Sequence, residues 1–195
     1  MNTYSNAELN KILELHESYL QGKRDGIKAN LKNANLSYTN LENANLETAN
    51  LEYANLYKAN LDNANLYKAN LIGALNISAS IAARLSIVPE IGGFYGYKQL
   101  RDNIIAILYI PASAKRSNGT TRKCRASKAI VKKFVSFKGD KLDITYGYSL
   151  YSKEFKYTIG ETVVPTSKFD SDRWVECGSG IHFFLTKQEA IEFNY

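Results

Sequence analysis

Leucine recurs at every fifth position between residues 31 and 71. A small residue stands two places before each leucine, alanine in every unit but that of Thr39, and asparagine stands between the two. A period of five fits neither the turn of a helix nor the alternation of a strand. We therefore expect one corner per repeat, with each leucine buried against neighbouring repeats and the asparagines bonding backbone groups at the corners.

The residues before the repeats have the pattern of an amphipathic helix. Ser5 and Glu8 have the spacing of a capping box, and apolar residues follow at mostly three- and four-residue steps. We expect one helix within residues 5–21, ending near Gly22 and capping the repeats. His16 lies at the edge of its apolar face, either as a packed polar residue or, alternatively, as a ligand or base.

The repeated units resemble the pentapeptide-repeat family, whose motif is Ala-(Asn or Asp)-Leu-x-x. The resemblance implies a right-handed, four-sided β-helix with about twenty residues per coil. The repeat phase continues weakly through Ala74 and Ala79-Ser80-Ile81. We therefore expect two to three coils, roughly 10–15 Å tall. The predicted domains are a capping helix in 1–28, the β-helix in 29–83 and a C-terminal domain in 84–195.

Some pentapeptide-repeat proteins resemble duplex DNA in shape and charge, which requires a long acidic surface. Residues 29–73 carry three bases and four acids, so their net charge is only −1 and DNA mimicry is disfavoured. Tyrosines at outward positions suit a protein interface instead, or they simply cover the small solenoid: Tyr38, Tyr53, Tyr57 and Tyr67. An open β-helix end also leaves unpaired edges that oligomerisation would cover.

The chain after residue 84 loses the repeat and becomes aromatic and rich in strands. Apolar, β-branched runs bounded by glycine and proline predict strands at Asn103–Ile110, Ile130–Phe137, Asp143–Tyr148, Phe155–Ile159 and Ile181–Leu185. Thr186 with Glu189 predicts a short final helix over Thr186–Phe193. The fold expected for this part is α+β or mainly β.

The net charge of +6 belongs to the C-terminal part, which carries 18 bases and 11 acids. Eight bases fall within Lys115–Lys133, here called the basic stretch, and no acid occurs between Asp102 and Asp140. Unbalanced positive charge attracts anions such as phosphates, although a solvated loop and strand face is the simpler alternative. A turn at Gly119 lies within this stretch, and its backbone amides could also face an anion. The candidate ligand-binding bases near it are Lys115, Arg116, Arg122, Lys123 and Arg125.

Aromatic residues and a glycine motif complete the candidate site. Many aromatic residues of this part could stack on a nucleotide base, although most of them are expected in the core. Trp174 is the candidate chosen among them. The motif begins at Cys177 and contributes Ser179 and His182, between glycines that permit close backbone approach. Two cysteines and two histidines fit no zinc spacing, and His182 has no identifiable acidic partner, so we expect neither a metal nor a catalytic residue.

The C-terminal part has two resemblances. Gly93–Lys98, Arg122–Ser127 and Phe169–Phe184 are similar to an uncharacterised domain that follows pentapeptide repeats in proteins of phages and large DNA viruses, which implies an infected bacterial cytoplasm. Gly178-Ser-Gly-Ile-His-Phe-Phe, with Ala190 and Tyr195, is similar to the G-x-G-I-Y-F block that lines the nicotinamide dinucleotide pocket of ADP-ribosyltransferases. His182 replaces the tyrosine, and no room remains for the strand that carries their catalytic glutamate. Transferase activity is therefore not expected, but an ADP-ribose-like ligand is conceivable.

These observations favour a non-enzymatic binding protein that captures an anionic small molecule, such as a nucleotide immune signal of the host, on an oligomeric β-helix platform. One alternative is a module that binds and inhibits a host protein through its β-helix or C-terminal surface. Another is a nucleotide-processing enzyme with His182 as acid or base. Two cysteines are too few for a disulfide scaffold, and neither a signal peptide nor a membrane-spanning run is visible, so a cytoplasmic location without a cofactor is expected. Nucleic-acid binding is disfavoured.

Overall fold

The computed structural model describes residues 1–193 and divides the chain into two compact units, Met1–Ser86 and the part that begins at Ile87. The first is here called the N-terminal unit and the second the C-terminal unit. Among the described residues, no helix is both long and apolar enough to cross a membrane.

The N-terminal unit begins with strand β1 (Asn2–Thr3) and helix α1 (Asn6–Leu20). Ser5 caps α1, and the predicted reciprocal bonds between Ser5 and Glu8 are both present. Strand β1 pairs in parallel with β2 (Ala34–Asn35). His16 is fully buried, and its Nδ1 accepts a hydrogen bond of 3.1 Å from the Ala29 N–H. The histidine therefore joins α1 to the first repeat, and burial lowers its pKa.

The repeats bury their leucines as the period predicts. Every leucine of the series from Leu31 to Leu71 is at most 3% exposed. Parallel bridges join asparagines twenty positions apart, from Asn30 with Asn50 to Asn50 with Asn70. Each repeat asparagine also accepts a bond from the backbone N–H two residues later, as in Asn40 with the Glu42 N–H at 3.1 Å. The predicted role of asparagine at the corners is confirmed.

The predicted β-helix solenoid is not what the structure shows over these repeats. Turns and single-residue bridges fill residues 30–75, and β2 is the one strand there among the described residues. The residue two places after each leucine has a positive φ, for example 61° at Tyr38 and 53° at Lys58. Such a turn in every unit leaves too few extended residues for a continuous strand.

A short helix, α2 (Ala79–Arg84), follows the last repeat and has Ser78 as its N-cap. The Arg84 guanidinium donates to the backbone oxygen of Leu61 at 2.9 Å and to that of Ala64 at 3.4 Å. The Leu61 oxygen also accepts the Ala64 N–H at 3.1 Å, whereas the Ala64 oxygen has the position at which earlier repeats accept an amide twenty-one residues later, as Ala44 does from Asn65. The amide at that distance from Ala64, that of Leu85, bonds to Ile81 at the end of α2, so Arg84 supplies a donor to the Ala64 oxygen instead.

The C-terminal unit is mainly β, in agreement with the sequence. Its four-stranded antiparallel sheet has the order β10-β7-β4-β3 and comprises β3 (Phe94–Gln99), β4 (Ile104–Ile110), β7 (Ala129–Ser136) and β10 (Thr162–Val163). A three-stranded antiparallel sheet, in the order β11-β6-β5, comprises β5 (Arg116–Asn118), β6 (Cys124–Ala126) and β11 (Ile181–Phe183). Strands β8 (Tyr146–Tyr148) and β9 (Lys156–Thr158) form a hairpin, and α3 (Lys187–Glu192) follows β11.

Two contacts hold the parts of the C-terminal unit together. Tyr97 of β3 and Phe184 bond each other through their backbones at 2.8 Å, which links the two larger sheets. Phe134 and Phe183 are fully buried in one core between them.

The N-cap of α3 is Thr186, with the predicted capping box to Glu189. The ADP-ribosyltransferase-like residue Tyr195 lies outside the described residues.

Candidate functional site

A cavity of about 410 Å³ lies in the C-terminal unit. Its wall is built by three stretches of the chain, around 149–157, 165–167 and 177–182, together with Lys98 from β3. Tyr151, Phe155 and Tyr157 form an aromatic part of the wall, whereas hydroxyl groups and the 178–180 backbone form a polar part. A volume of this size suits a small organic ligand.

Lys98 is the cationic group of the cavity wall. Its side chain is almost fully buried, and its ammonium donates to the backbone oxygen of His182 at 3.2 Å. Burial, reinforced by the positive charge of Lys123, lowers the pKa of Lys98 to about 8. The sequence analysis missed this residue. The signal that could have found it is the alternation in β3, which places Lys98 on the same buried face as Gly96.

His182 is held on β11 in its neutral form. Its Nε2 lies 3.2 Å from the backbone oxygen of Glu176. Because a carbonyl only accepts, Nε2 carries the proton and Nδ1 keeps the lone pair. Burial, together with the charges of Lys123, Lys98 and Arg125, lowers the pKa of His182 to about 4, although the bond to Glu176 acts in the opposite direction. His182 therefore meets a ligand at neutral pH as an uncharged imidazole.

Of the predicted ligand-binding residues, Ser179 and His182 line the cavity. Lys123 is buried beside it, with its ammonium 3.6 Å from the sulfur of Cys177, which also lines the wall. The structure thus brings part of the glycine motif and one base of the basic stretch together. The remaining predicted residues lie elsewhere in the C-terminal unit.

The other bases of the basic stretch bind protein groups or face away from the cavity. Lys115 is exposed. Arg116 donates to the backbone oxygens of Gly92 and Ala112 at 2.8 and 2.9 Å. Arg122 forms an ion pair with Glu189. Trp174 is half-buried under the guanidinium of Arg173, 4.8 Å from the ring centre. The predicted basic residues therefore do not form one patch, because consecutive residues of a strand alternate between faces.

Arg125 is the most deeply buried of these bases. Its guanidinium donates to the backbone oxygens of Asp170, Asp172 and Ser179 at 3.2, 2.7 and 3.4 Å, and the residue is 1% exposed. A Cβ on Gly178 would lie only 2.7 Å from this guanidinium. The glycine motif thus makes room for Arg125, which fixes the 170–180 segment, whose residues 177–180 line the cavity.

The turn at Gly119, where we predicted that amides could face an anion, holds a carboxylate of the protein itself. Glu176 accepts bonds from the Thr121 N–H at 2.7 Å and from the Thr121 hydroxyl at 2.8 Å. A Cβ on Gly119 would lie 2.5 Å from Oε1 of Glu176. The geometry of an anion site is present at this turn, but an internal carboxylate occupies it.

The two cysteines are both free, with Cys124 buried and Cys177 exposed. Burial raises the pKa of the Cys124 thiol to about 12, so this thiol stays protonated. In the part of the chain that the structure describes, no three His, Cys, Asp or Glu side chains lie together as metal ligands would.

Acid is expected to destabilise the C-terminal unit through His182. Because its pKa is lower in the folded protein, the folded state binds fewer protons than the unfolded chain between pH 6.5 and about 4. The free energy of unfolding should therefore fall by about 3 kcal/mol as the pH decreases through that window. Urea unfolding followed by the fluorescence of Trp174, the only tryptophan, measures this change. In His182→Gln the loss should largely disappear, and an unchanged pH profile would contradict the assignment.

A leucine-and-asparagine repeat joined to a mainly β domain defines, as a class, a pentapeptide-repeat protein with an additional C-terminal domain. The pentapeptide-repeat model matches in eight copies, over residues 29–66 and 45–75. Residues 85–190 match DUF5758, a family of unknown function, and the chain belongs to this family. No curated protein and no solved structure matches the chain. The repeat resemblance is thereby confirmed, and the phage setting stays a prediction.

Proposed function

We propose that the C-terminal unit is a non-enzymatic binding domain whose cavity captures a small anionic molecule with a planar group, such as a nucleotide or an ADP-ribose derivative. The observation that carries the proposal is the composition of the cavity wall. It holds a buried ammonium, three aromatic side chains and several hydroxyl groups, and no Asp or Glu is among its described lining residues.

The electrostatics of the cavity favour an anion. Lys98 is buried beside the further positive charge of Lys123, and that charge raises the cost of protonating Lys98. An anion in the cavity would offset this repulsion in a region where burial strengthens electrostatic attraction. The neutral His182 adds no competing charge and offers Nδ1 as an acceptor for a ligand hydroxyl or amine.

The aromatic side gives the ligand its second recognition element. Phe155 and Tyr157 pack against each other at 5.2 Å between ring centres, and Tyr151 is 60% exposed. Stacking of a base on an aromatic ring is worth about 1–3 kcal/mol. A ligand with a planar ring and a phosphate would thus use both parts of the wall.

Binding of defined probes tests this function. AMP, ADP-ribose and cyclic di-AMP are compared with uncharged adenosine by calorimetry on the full chain. At least one phosphorylated probe should bind more than tenfold tighter than adenosine, and chromatography should recover it intact. Lys98→Met should weaken that binding at least tenfold, whereas Lys133→Met, at an exposed position of β7, should not change it. Equal binding of adenosine and all phosphorylated probes, or none by any, would overturn the proposal.

Although turns and single-residue bridges stand in place of continuous strands over the described repeats, we further propose that these bridges have the arrangement of a short right-handed, four-sided β-helix that serves as an oligomeric platform. Its support is the spacing: the Leu31 and Leu51 amides bond to the backbone oxygens of residues nineteen positions later, at 2.7 and 2.9 Å. Light scattering of the full chain tests the oligomer, and a monomer at all concentrations would contradict it. A phage origin and a nucleotide immune signal as the natural ligand belong to the same proposal.

Recognition of a host protein is the second candidate function, and the tyrosines of the repeats favour it. Tyr38 and Tyr57 contact edge to face at 5.5 Å, and the ammonium of Lys58 lies over both rings. These rings remain 68% and 43% exposed, as an interface would require. Tyr38→Glu with Tyr57→Glu should abolish capture of a host protein that Lys98→Met still captures. The reverse pattern would favour the ligand-binding function alone.

A further inference from the structure

The Lys98 side chain is a buried amine whose partners are neutral. Its ammonium donates to a backbone oxygen and lies 5.9 Å from the ring centre of Tyr157. Among the described residues, the three ion pairs of the chain do not include Lys98. A cation in this position has given up its hydration without gaining a carboxylate, which favours the uncharged amine.

The uncharged form matters because only a neutral amine is a nucleophile. Because the pKa of Lys98 is lowered to about 8, a much larger fraction of this lysine is neutral at pH 7.4 than of an ordinary lysine. Lysines activated by desolvation and by a neighbouring cation form Schiff bases with carbonyl compounds. Lys98 has both features, since Lys123 supplies the neighbouring cation.

The position of the amine allows a small molecule to reach it. Lys98 lines the cavity of about 410 Å³, so a ligand can approach although the side chain is otherwise buried. Cys177 and His182 lie on the same wall. A reactive group on the wall of a cleft that binds the ligand meets it already oriented, which raises its effective concentration.

We propose that Lys98 holds the ligand of this cavity as a reversible imine, and that the ligand class is therefore a small anionic aldehyde or ketone. This inference rests on the proposed binding function and adds a covalent bond to it. The phosphate or carboxylate of the ligand would lie on the side of the Lys123 ammonium, and its carbonyl carbon would face the uncharged amine of Lys98.

The chemistry needs no further reactant. The lone pair of the neutral amine attacks the carbonyl carbon, a carbon–nitrogen bond forms, and the π electrons move to oxygen. One proton passes from nitrogen to that oxygen to give a carbinolamine. The carbon–oxygen bond then breaks, and the oxygen leaves as water with the second proton from nitrogen, so that a neutral imine remains. Nothing is oxidised or reduced, and water reverses the reaction.

The test uses the full chain and pyridoxal 5′-phosphate, an anionic aromatic aldehyde, with borohydride to reduce any imine to a stable amine. Peptide mass spectrometry should find Lys98 modified at least tenfold faster than exposed lysines such as Lys133, with a labelling rate that is half-maximal near pH 8. Lys98→Met should lose this adduct. Lys98→Arg keeps the cation but cannot form an imine, and it should lose the adduct too.

Two further probes separate the covalent step from binding. Pyridoxine 5′-phosphate carries an alcohol in place of the aldehyde, so it tests non-covalent capture alone and should protect Lys98 from labelling. Propanal is uncharged and tests the amine alone. If neither aldehyde modifies Lys98 faster than exposed lysines, the imine is overturned, even where pyridoxine 5′-phosphate binds and the proposed function stands. If propanal modifies Lys98 selectively but neither phosphate binds, the amine is reactive and the proposed anionic ligand is overturned.

Discussion

Replacing Arg125 by leucine is expected to destabilise the C-terminal unit by about 3–5 kcal/mol. The guanidinium is buried and donates hydrogen bonds to the backbone oxygens of Asp170, Asp172 and Ser179. Leucine fills part of the volume but donates no hydrogen bond, so three backbone oxygens lose a charged donor together. The oxygens of Asp172 and Ser179 keep the amides of Val175 and Asp170, at 3.3 and 3.0 Å. The melting temperature, followed by Trp174 fluorescence, should fall by on the order of 10 °C.

Arg122→Leu is the matched control for this prediction. Arg122 lies three residues away, is exposed and has its ion pair with Glu189 at the surface. Its loss should cost no more than about 1 kcal/mol. If the two variants melted at the same temperature, Arg125 would not be the residue that fixes the 170–180 segment. Binding of an anionic probe should also fall in Arg125→Leu, because residues 177–180 at the end of that segment line the cavity.

The second large effect is expected in the N-terminal unit. Leu51→Ala should lower the free energy of unfolding by about 3–4 kcal/mol, since Leu51 is fully buried and the rigid repeats on either side cannot close the gap. Each repeat depends on its neighbours for burial, so one cavity weakens several of them. Denaturant unfolding followed by circular dichroism measures the loss.

Leu75→Ala supplies the comparison for Leu51→Ala. Leu75 forms the last bridge of the array, to Asn55, but its side chain is 48% exposed. Its truncation leaves the backbone bonds intact and removes little buried surface, so a loss below about 1 kcal/mol is expected. A comparable loss in both variants would show that the leucine series is not the core of the repeats.

The buried and corner positions of the repeats were predictable from the sequence, because every unit has the same requirement for a buried leucine, a small residue and an asparagine. Period and residue size were enough to assign the buried leucines and the corner asparagines. The resemblance implied a β-helix, whereas the structure shows turns and single-residue bridges over the repeats, since residues such as Tyr38 and Lys58 adopt positive φ without being glycine. A repeated corner imposes that conformation on any residue type, and the residue type alone does not reveal it.

The strands β4 and β7 of the C-terminal unit were predictable from their apolar runs, whereas β3, β5, β6 and β10 were not among the predicted strands. The strands β4 and β7 begin within one residue of their predicted starts. The strands β5 and β6 were missed because Arg116 and Arg125 made them look like a solvated loop. Arg125 is buried only because backbone oxygens some fifty residues later surround it. A contact of that range leaves no local signal.

The sequence predicted some residues of the candidate site and missed others. Glycine and histidine spacing indicated Ser179 and His182, which both reach the cavity. The basic stretch drew attention to an anion site, yet the anion near Gly119 is the carboxylate of Glu176. Lys98, the base that does line the cavity, stands apart from the stretch. Charge density along a chain reports composition, whereas a binding site depends on which charges the fold turns inward.

The pairing of asparagines twenty positions apart has a consequence for how this chain can change its length. Removing one five-residue unit would still place asparagine beside asparagine and leucine on leucine, so the interior would survive. The outward side chains would meet new neighbours, and Tyr38 would face Asp62 where it now bonds Tyr57. A gain or loss of any other number of residues would break the register at once. Insertions and deletions in steps of five can therefore exchange the surface of the repeats while leaving their interior as it is.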